Sequence, residues 1–143
     1  MSINLFYPAS YLPHKNHNFL KSEKIYKFLE INDIKINLTI ENKNIDIISK
    51  NINMIGRLNH ERCLFMMKQS SALLFLSSFE SLGLPILEAE IFNKSIILPK
   101  LPYSVELIGN TGYFLEYPLS ENNFFKVLKK FKYDFINNCN YPA

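Results

Sequence analysis

The sequence predicts an α/β protein built on a doubly wound parallel sheet. Three observations carry that expectation. Short β-prone runs alternate with helix-length amphipathic segments along the whole chain, the pattern of βαβ units. The apolar run Ala72-Leu73-Leu74-Phe75-Leu76 is unbroken and bounded by Ser77-Ser78, as a buried strand is. Prolines and glycines punctuate the junctions, at Pro8, Gly56, Pro85, Pro99, Pro102 and Gly109. The 143 residues read as a single domain, 1–143, long enough to bury a core of its own.

Composition bounds the function. The chain is 48% hydrophobic, which fits a globular protein and not a disordered one. Its net charge of +3, from 16 basic and 13 acidic residues, is too mild to argue for a nucleic-acid partner. Cys63 and Cys139 show neither metal-ligand spacing nor a disulfide framework, so free thiols in a reducing compartment are expected. The start of the chain lacks a signal-peptide pattern, and no apolar run approaches the ~20 residues of a membrane span. The expectation is a cytoplasmic protein, with docking at the inner face of a membrane left open.

The elements follow in order. Ile3–Tyr7 is a β-prone run ended by Pro8, and a loop carrying His14-Lys15-Asn16 follows. From Asn18, the apolar residues Phe19, Leu20, Ile25, Tyr26, Phe28 and Leu29 recur near helical period, with lysines opposite. Residues 33–40 alternate polar and apolar as a half-buried strand does. Residues 45–50 are ambiguous and would allow a short helix. Residues 52–58 read as the third strand, with Gly56 ending it. Asn59 is a helix N-cap with Glu61 in the first turn. Cys63, Leu64 and Met67 give that helix a core-facing stripe, widened by Phe65 and Met66.

After the buried run comes Glu80-Ser81-Leu82-Gly83-Leu84-Pro85-Ile86-Leu87-Glu88-Ala89. Pro85 suits a first helical position, where its missing N–H costs nothing. This is strand, loop, helix, and in open α/β sheets ligands bind at the carboxyl ends of strands beside helix N-termini. The helix runs to Asn93-Lys94. A strand at 95–99 follows, then a short helix from Pro102 with Gly109 as its C-terminal cap. A strand at 112–116 and a helix at 121–131, capped by Ser120, complete the pattern. Lys126, Lys129, Lys130 and Lys132 form a basic face, ordinarily only solvated, which could meet anionic lipid. Residues 137–143 carry no structural signal.

The stretch from Glu80 to Ala89 resembles the donor-binding signature of the glycosyltransferase family 4 type, the "group 1" transferases of GT-B fold. That signature is roughly Glu-Gly-Phe-Gly-Leu-Pro-x-x-Glu-Ala. Gly83, Leu84, Pro85 and Ala89 are in register with it, and the two glutamates have its spacing. The segment from Pro102 through Glu106 to Gly109 is similar to a Pro-x-x-x-Glu-x-x-Gly element of the same family, in which Glu106 would orient the loop. The resemblance covers nearly the whole chain, but only the C-terminal, donor-binding half of such an enzyme. A separate chain would then have to supply the N-terminal, acceptor-binding half.

The resemblance implies hexosyl transfer from a UDP- or GDP-linked sugar to an acceptor hydroxyl, with retention of configuration and no metal or other cofactor. Lys15 would reach the donor diphosphate as a mobile point charge. It reads otherwise as a solvated lysine at a helix start, where it opposes the helix dipole. Glu88 would hold the ribose hydroxyls and Glu80 the hydroxyls of the donor sugar. Lys15 and Glu80 are thus the candidate catalytic residues. Gly56 and Arg57 would line the base pocket, although Arg57 serves equally as a salt-bridged surface residue. Ser81, Leu82, Gly83 and Leu84 would offer backbone N–H groups to the leaving diphosphate.

Two departures stand out. Ser81 and Leu82 replace the usual Gly and Phe. Pro8-Ala9 stand where many relatives carry Gly-Arg, so a second phosphate cation is absent there. A different class of function therefore stays open: a nucleotide-sugar-binding domain without catalysis, or an inactive remnant. A receiver-like signalling domain would fit the alternation but needs an acidic cluster after the first strand. His14 reads as a capping or surface group of its loop, and His17 and His60 join no constellation in the sequence.

Overall fold

The computed structural model describes residues 2–137. Cys139 and most of the tail lie outside the described residues. Six strands, β1 (Ile3–Tyr7), β2 (Ile34–Leu38), β3 (Ile52–Met54), β4 (Ala72–Leu74), β5 (Ser95–Pro99) and β6 (Tyr113–Leu115), form one sheet. Every pairing is parallel, in the order β3-β2-β1-β4-β5-β6. Five helices connect or flank them: α1 (Glu23–Asn32), α2 (His60–Gln69), α3 (Leu84–Ile91), α4 (Pro102–Ile108) and α5 (Glu121–Ile136). The architecture is the predicted doubly wound, Rossmann-like α/β fold.

The central strands are apolar because both their faces are covered. Leu5, Phe6, Tyr7, Leu73 and Leu74 are fully buried, and Phe75 and Leu76 continue the buried run past β4. Against one face, α5 contributes Phe124, Leu128 and Phe131, all buried. Helices α1 and α5 meet through stacked Phe28 and Phe125 rings, 4.4 Å between centroids. The chain winds outward from β1 to β3, then returns to lay β4 against the other side of β1. That reversal opens a crevice at the carboxyl ends of β1 and β4, the usual ligand position in such sheets.

Several element boundaries differ from the sequence reading. The first helix does not begin at Asn18. A 3-10 turn spans His17–Leu20, and α1 starts at Glu23 behind Ser22, whose hydroxyl accepts from the Ile25 N–H. Segment 45–50 holds no helix, because Ile45 and Ile47 are buried while Asp46 and Ile48 face solvent. The third strand stops at Met54, ahead of Gly56, which has φ +79°. In the predicted α2 stripe Met67 is buried and Cys63 and Leu64 are half-buried, Cys63 and Met66 packing against the core, whereas Phe65 is exposed. Helix α5 continues one turn further, to Ile136. Its basic face is partly engaged within the fold: Lys130 bonds Asp134 at 2.9 Å, and Lys132 donates to the Asn32 carbonyl. Among the described residues, no helix is long and apolar enough to cross a membrane.

Candidate functional site

Two loops build the floor of the crevice, and local chemistry fastens them to each other. The loop after β1 closes in a 3-10 turn, Pro13–Lys15, followed by Asn16 in the left-handed conformation, φ 59°. Asn16 then donates its side-chain amide to the Leu76 carbonyl at 2.8 Å, behind β4. The Ser78 N–H answers by donating to the His14 carbonyl at 2.9 Å. From below, the buried Tyr7 hydroxyl donates to the Lys15 carbonyl at 2.6 Å. Burial and the charge of Glu80 hold the phenol of Tyr103 well above its ordinary range, and it donates to the Ser77 carbonyl.

This scaffold brings Lys15 and Glu80 together from 65 positions apart. The Lys15 ammonium donates to Glu80 Oε2, and both side chains are largely shielded from water, 15% and 13% exposed. The buried Ser77 hydroxyl donates to the same carboxylate oxygen at 3.0 Å. The ammonium also lies 5.7 Å from the centroid of the Phe75 ring, a favourable cation–π position.

Helix α3 starts at the same rim. Gly83 is its N-cap, with φ +62°, and its carbonyl accepts from the Ile86 and Leu87 N–H groups at 2.9 and 3.2 Å. Only glycine takes that backbone conformation without cost. Pro85 carries no N–H and the Ile86 and Leu87 N–H groups are taken by Gly83, so this end offers the N–H groups of Gly83 and Leu84 together with the positive end of the helix dipole. Around it Ser81, Leu82 and Leu84 are exposed. One turn further in, Glu88 is mostly covered, at 21%, and its Oε2 lies 2.6 Å from His60 Nε2.

A cavity of about 350 Å³ lies beside the rim, at the carboxyl ends of β1, β2 and β3. Ala9, Tyr11, Thr39, Glu41, Arg57 and Cys63 are among its lining residues. Arg57 therefore belongs to a concave site, whereas Gly56 shapes the turn before it. Burial, and the neighbouring charge of Glu88, push the Cys63 thiol above its ordinary range. The cavity wall and Glu88 are thus electrostatic neighbours.

The sequence singled out Lys15, Glu80, Arg57, Glu88 and the turn from Ser81 to Leu84. All lie along one edge of the sheet, at the ends of β1, β3 and β4. The sequence reading missed His60, which has a partner on α3 and not, as expected, none. It also missed the burial of His17. The only signal for His60 was its place one residue after the Asn59 cap. Among the described residues, no group of three or more His, Cys, Asp or Glu side chains is arranged to hold a metal ion.

No protein-family model matches the chain, and no curated protein matches it. Solved structures do. WaaG, a glycosyltransferase involved in lipopolysaccharide biosynthesis, superposes with a TM-score of 0.70 at 16% identity, over 91% of this chain and 38% of that one. TarM of S. aureus, in a complex that includes UDP and α-GlcNAc-glycerol, gives 0.72 at 16% identity, over 92% and 29%. HepE of Anabaena, in complex with UDP-glucose, gives 0.69 at 13% identity, over 96% and 40%. At these identities the likeness shows the fold. The chain spans between 29% and 40% of the length of these three structures.

Proposed function

We propose that this chain is the nucleotide-sugar-binding half of a glycosyltransferase of the family 4, GT-B type. It would transfer a hexosyl group from a UDP- or GDP-linked donor to an acceptor hydroxyl, with retention and without a metal. The observation that carries this reading is the meeting of Lys15 and Glu80 at the switch point of the sheet, beside the start of α3. As placed here the two neutralise each other. A bound donor would divide them: Lys15 turns to the diphosphate and Glu80 accepts from the sugar hydroxyls. The α3 amino end adds N–H groups where negative charge grows on the leaving diphosphate. Glu88 would hold the ribose diol, and the base would occupy the cavity lined by Arg57.

The acceptor half would come from another domain or chain. Phe79, Leu82 and Leu84 support that expectation, because these large apolar side chains are 68%, 66% and 57% exposed on the crevice rim. A second reading, binding without transfer, is favoured by Pro8-Ala9, which leave Lys15 as the cation of the loop after β1.

The test is calorimetric titration with UDP and GDP, with no metal added, beside Glu88→Ala. Wild-type binding is expected, weakened in the variant by about 1–3 kcal/mol, the cost of charge-assisted hydrogen bonds. Equal affinity of the two proteins would remove Glu88 from the site. No binding of either nucleotide by folded protein would overturn the donor-half reading.

A further inference from the structure

Glu88 has a partner outside its own helix. His60 is the first residue of α2, directly after the Asn59 cap, and its Nε2 lies 2.6 Å from Glu88 Oε2. Cys63 stands three residues on, and positions three apart share a helix face. The Cys63 thiol also feels the charge of Glu88. One face of α2 therefore meets the Glu88 carboxylate through His60, and Cys63 further along that face lines the cavity.

The geometry points to His60 as a positioning residue for nucleotide recognition: it holds the Glu88 carboxylate ready for the ribose diol. This rests on the ribose reading of Glu88 given above. A carboxylate offers about four lone-pair sites on its two oxygens. A vicinal diol uses one on each oxygen. His60 takes one site on Oε2, which leaves enough for both ribose hydroxyls. A glutamate side chain on a helix is otherwise free to rotate, and fixing it on binding costs affinity. A donor on a neighbouring helix fixes it beforehand. His60 itself is 73% exposed, so it fills no core space, and an exposed contact of this kind adds little to stability. The contact is therefore better explained by what it does to Glu88 than by what it does for the fold.

The test titrates UDP and 2′,3′-dideoxyuridine diphosphate into wild type, His60→Ala, His60→Gln and Glu88→Ala. His60→Ala is expected to weaken UDP about three- to tenfold, the cost of ordering one side chain at the moment of binding. It should leave the dideoxy ligand unchanged and unfold at the wild-type temperature. His60→Gln keeps an N–H donor and should recover part of the loss. Unchanged UDP affinity in His60→Ala, or an equal loss for both ligands, overturns the inference. If Glu88→Ala weakens UDP while His60→Ala does not, the inference fails alone. If Glu88→Ala leaves UDP unaffected, the ribose reading fails and takes the inference with it. Should wild type refuse UDP, the same series is run with GDP and its dideoxy analogue, and refusal of both overturns the two together.

Discussion

Glu80 and Glu88 sit eight residues apart on one loop–helix junction, yet the fold treats them differently. Glu80 is 13% exposed and tied to Lys15 and Ser77, at the point where the loops after β1 and β4 are fastened together. Glu88 is 21% exposed and meets a histidine that is itself mostly in solvent. One carboxylate is bound into the scaffold, and the other is presented from it. A pair of identical residues in a motif therefore need not have similar energetics. Both are half-buried, but the partners of Glu80 are shielded with it, whereas the partner of Glu88 is 73% exposed.

The sharpest way to break that contrast is chemical denaturation of Glu80→Ala beside Glu88→Ala. Removing Glu80 leaves the Lys15 ammonium shielded with no counter-charge; breaking a fully buried pair costs about 3–5 kcal/mol, and the residual exposure of this one places it toward the lower end. Glu88→Ala gives up a contact to a histidine that is itself in solvent and should cost less, about 0–1 kcal/mol. The double variant Lys15→Met/Glu80→Leu should be more stable than the sum of the two single losses, because neither charge is then stranded. Equal losses at Glu80 and Glu88 would mean that the two sites are energetically alike, and the contrast would fall.

Acid should loosen the Glu80 side first. His17 follows Lys15 by two residues, is 1% exposed and stacks on Tyr7 at 4.9 Å. Neither of its ring nitrogens has a hydrogen-bond partner. Burial, and then the Lys15 charge, lower its pKa from 6.5 to about 4. The sign follows directly. Between those values the unfolded chain takes up a proton that the folded chain refuses, so stability is full above pH 6.5 and declines as pH falls toward 4. The loss is at most about 3 kcal/mol. His17→Phe keeps a ring against Tyr7 and should flatten the profile in that window. Asp134 acts lower: the Tyr113 hydroxyl, then Lys130, hold its carboxyl below the usual range, so its contribution is lost only as pH falls further. An unchanged profile in His17→Phe would show that the acid sensitivity arises elsewhere.

The sequence made the scaffold legible and its pairings less so. Strand runs such as 3–7 and 95–99 are set by local residues, and caps such as Asn59, Ser120 and Gly109 act within one turn, so a linear reading finds them. Lys15 and Glu80 could each be singled out from their motifs. Their ion pair could not, because it joins residues 65 apart through a strand order that local pattern does not specify. The His60–Glu88 contact is of the same kind, set by how α2 and α3 lie together. Segment 45–50 stayed ambiguous for a simpler reason. Its isoleucines suit a helix or an extended chain equally, and packing of Ile45 and Ile47 decided it.

Gly83 joins the two regions, and substituting it tests the link between them most directly. It lies between Glu80 and Glu88, caps α3 and has φ +62°. A Cβ there would come within 2.6 Å of Leu107 Cδ1, the far end of a side chain on α4. Gly83→Ala should therefore cost about 1–2 kcal/mol, chiefly for the left-handed backbone, with Leu107 turning aside. Relief of that strain would move the start of α3 and the N–H groups of its first turn. Glu88, a turn further along, would keep its contact with His60. UDP should consequently lose more affinity than uridine, since the diphosphate meets the displaced helix start and the ribose does not. Equal losses for nucleoside and nucleotide would indicate that the whole of α3 shifts as one body, and that Glu80 and Glu88 are less independent than their surroundings imply.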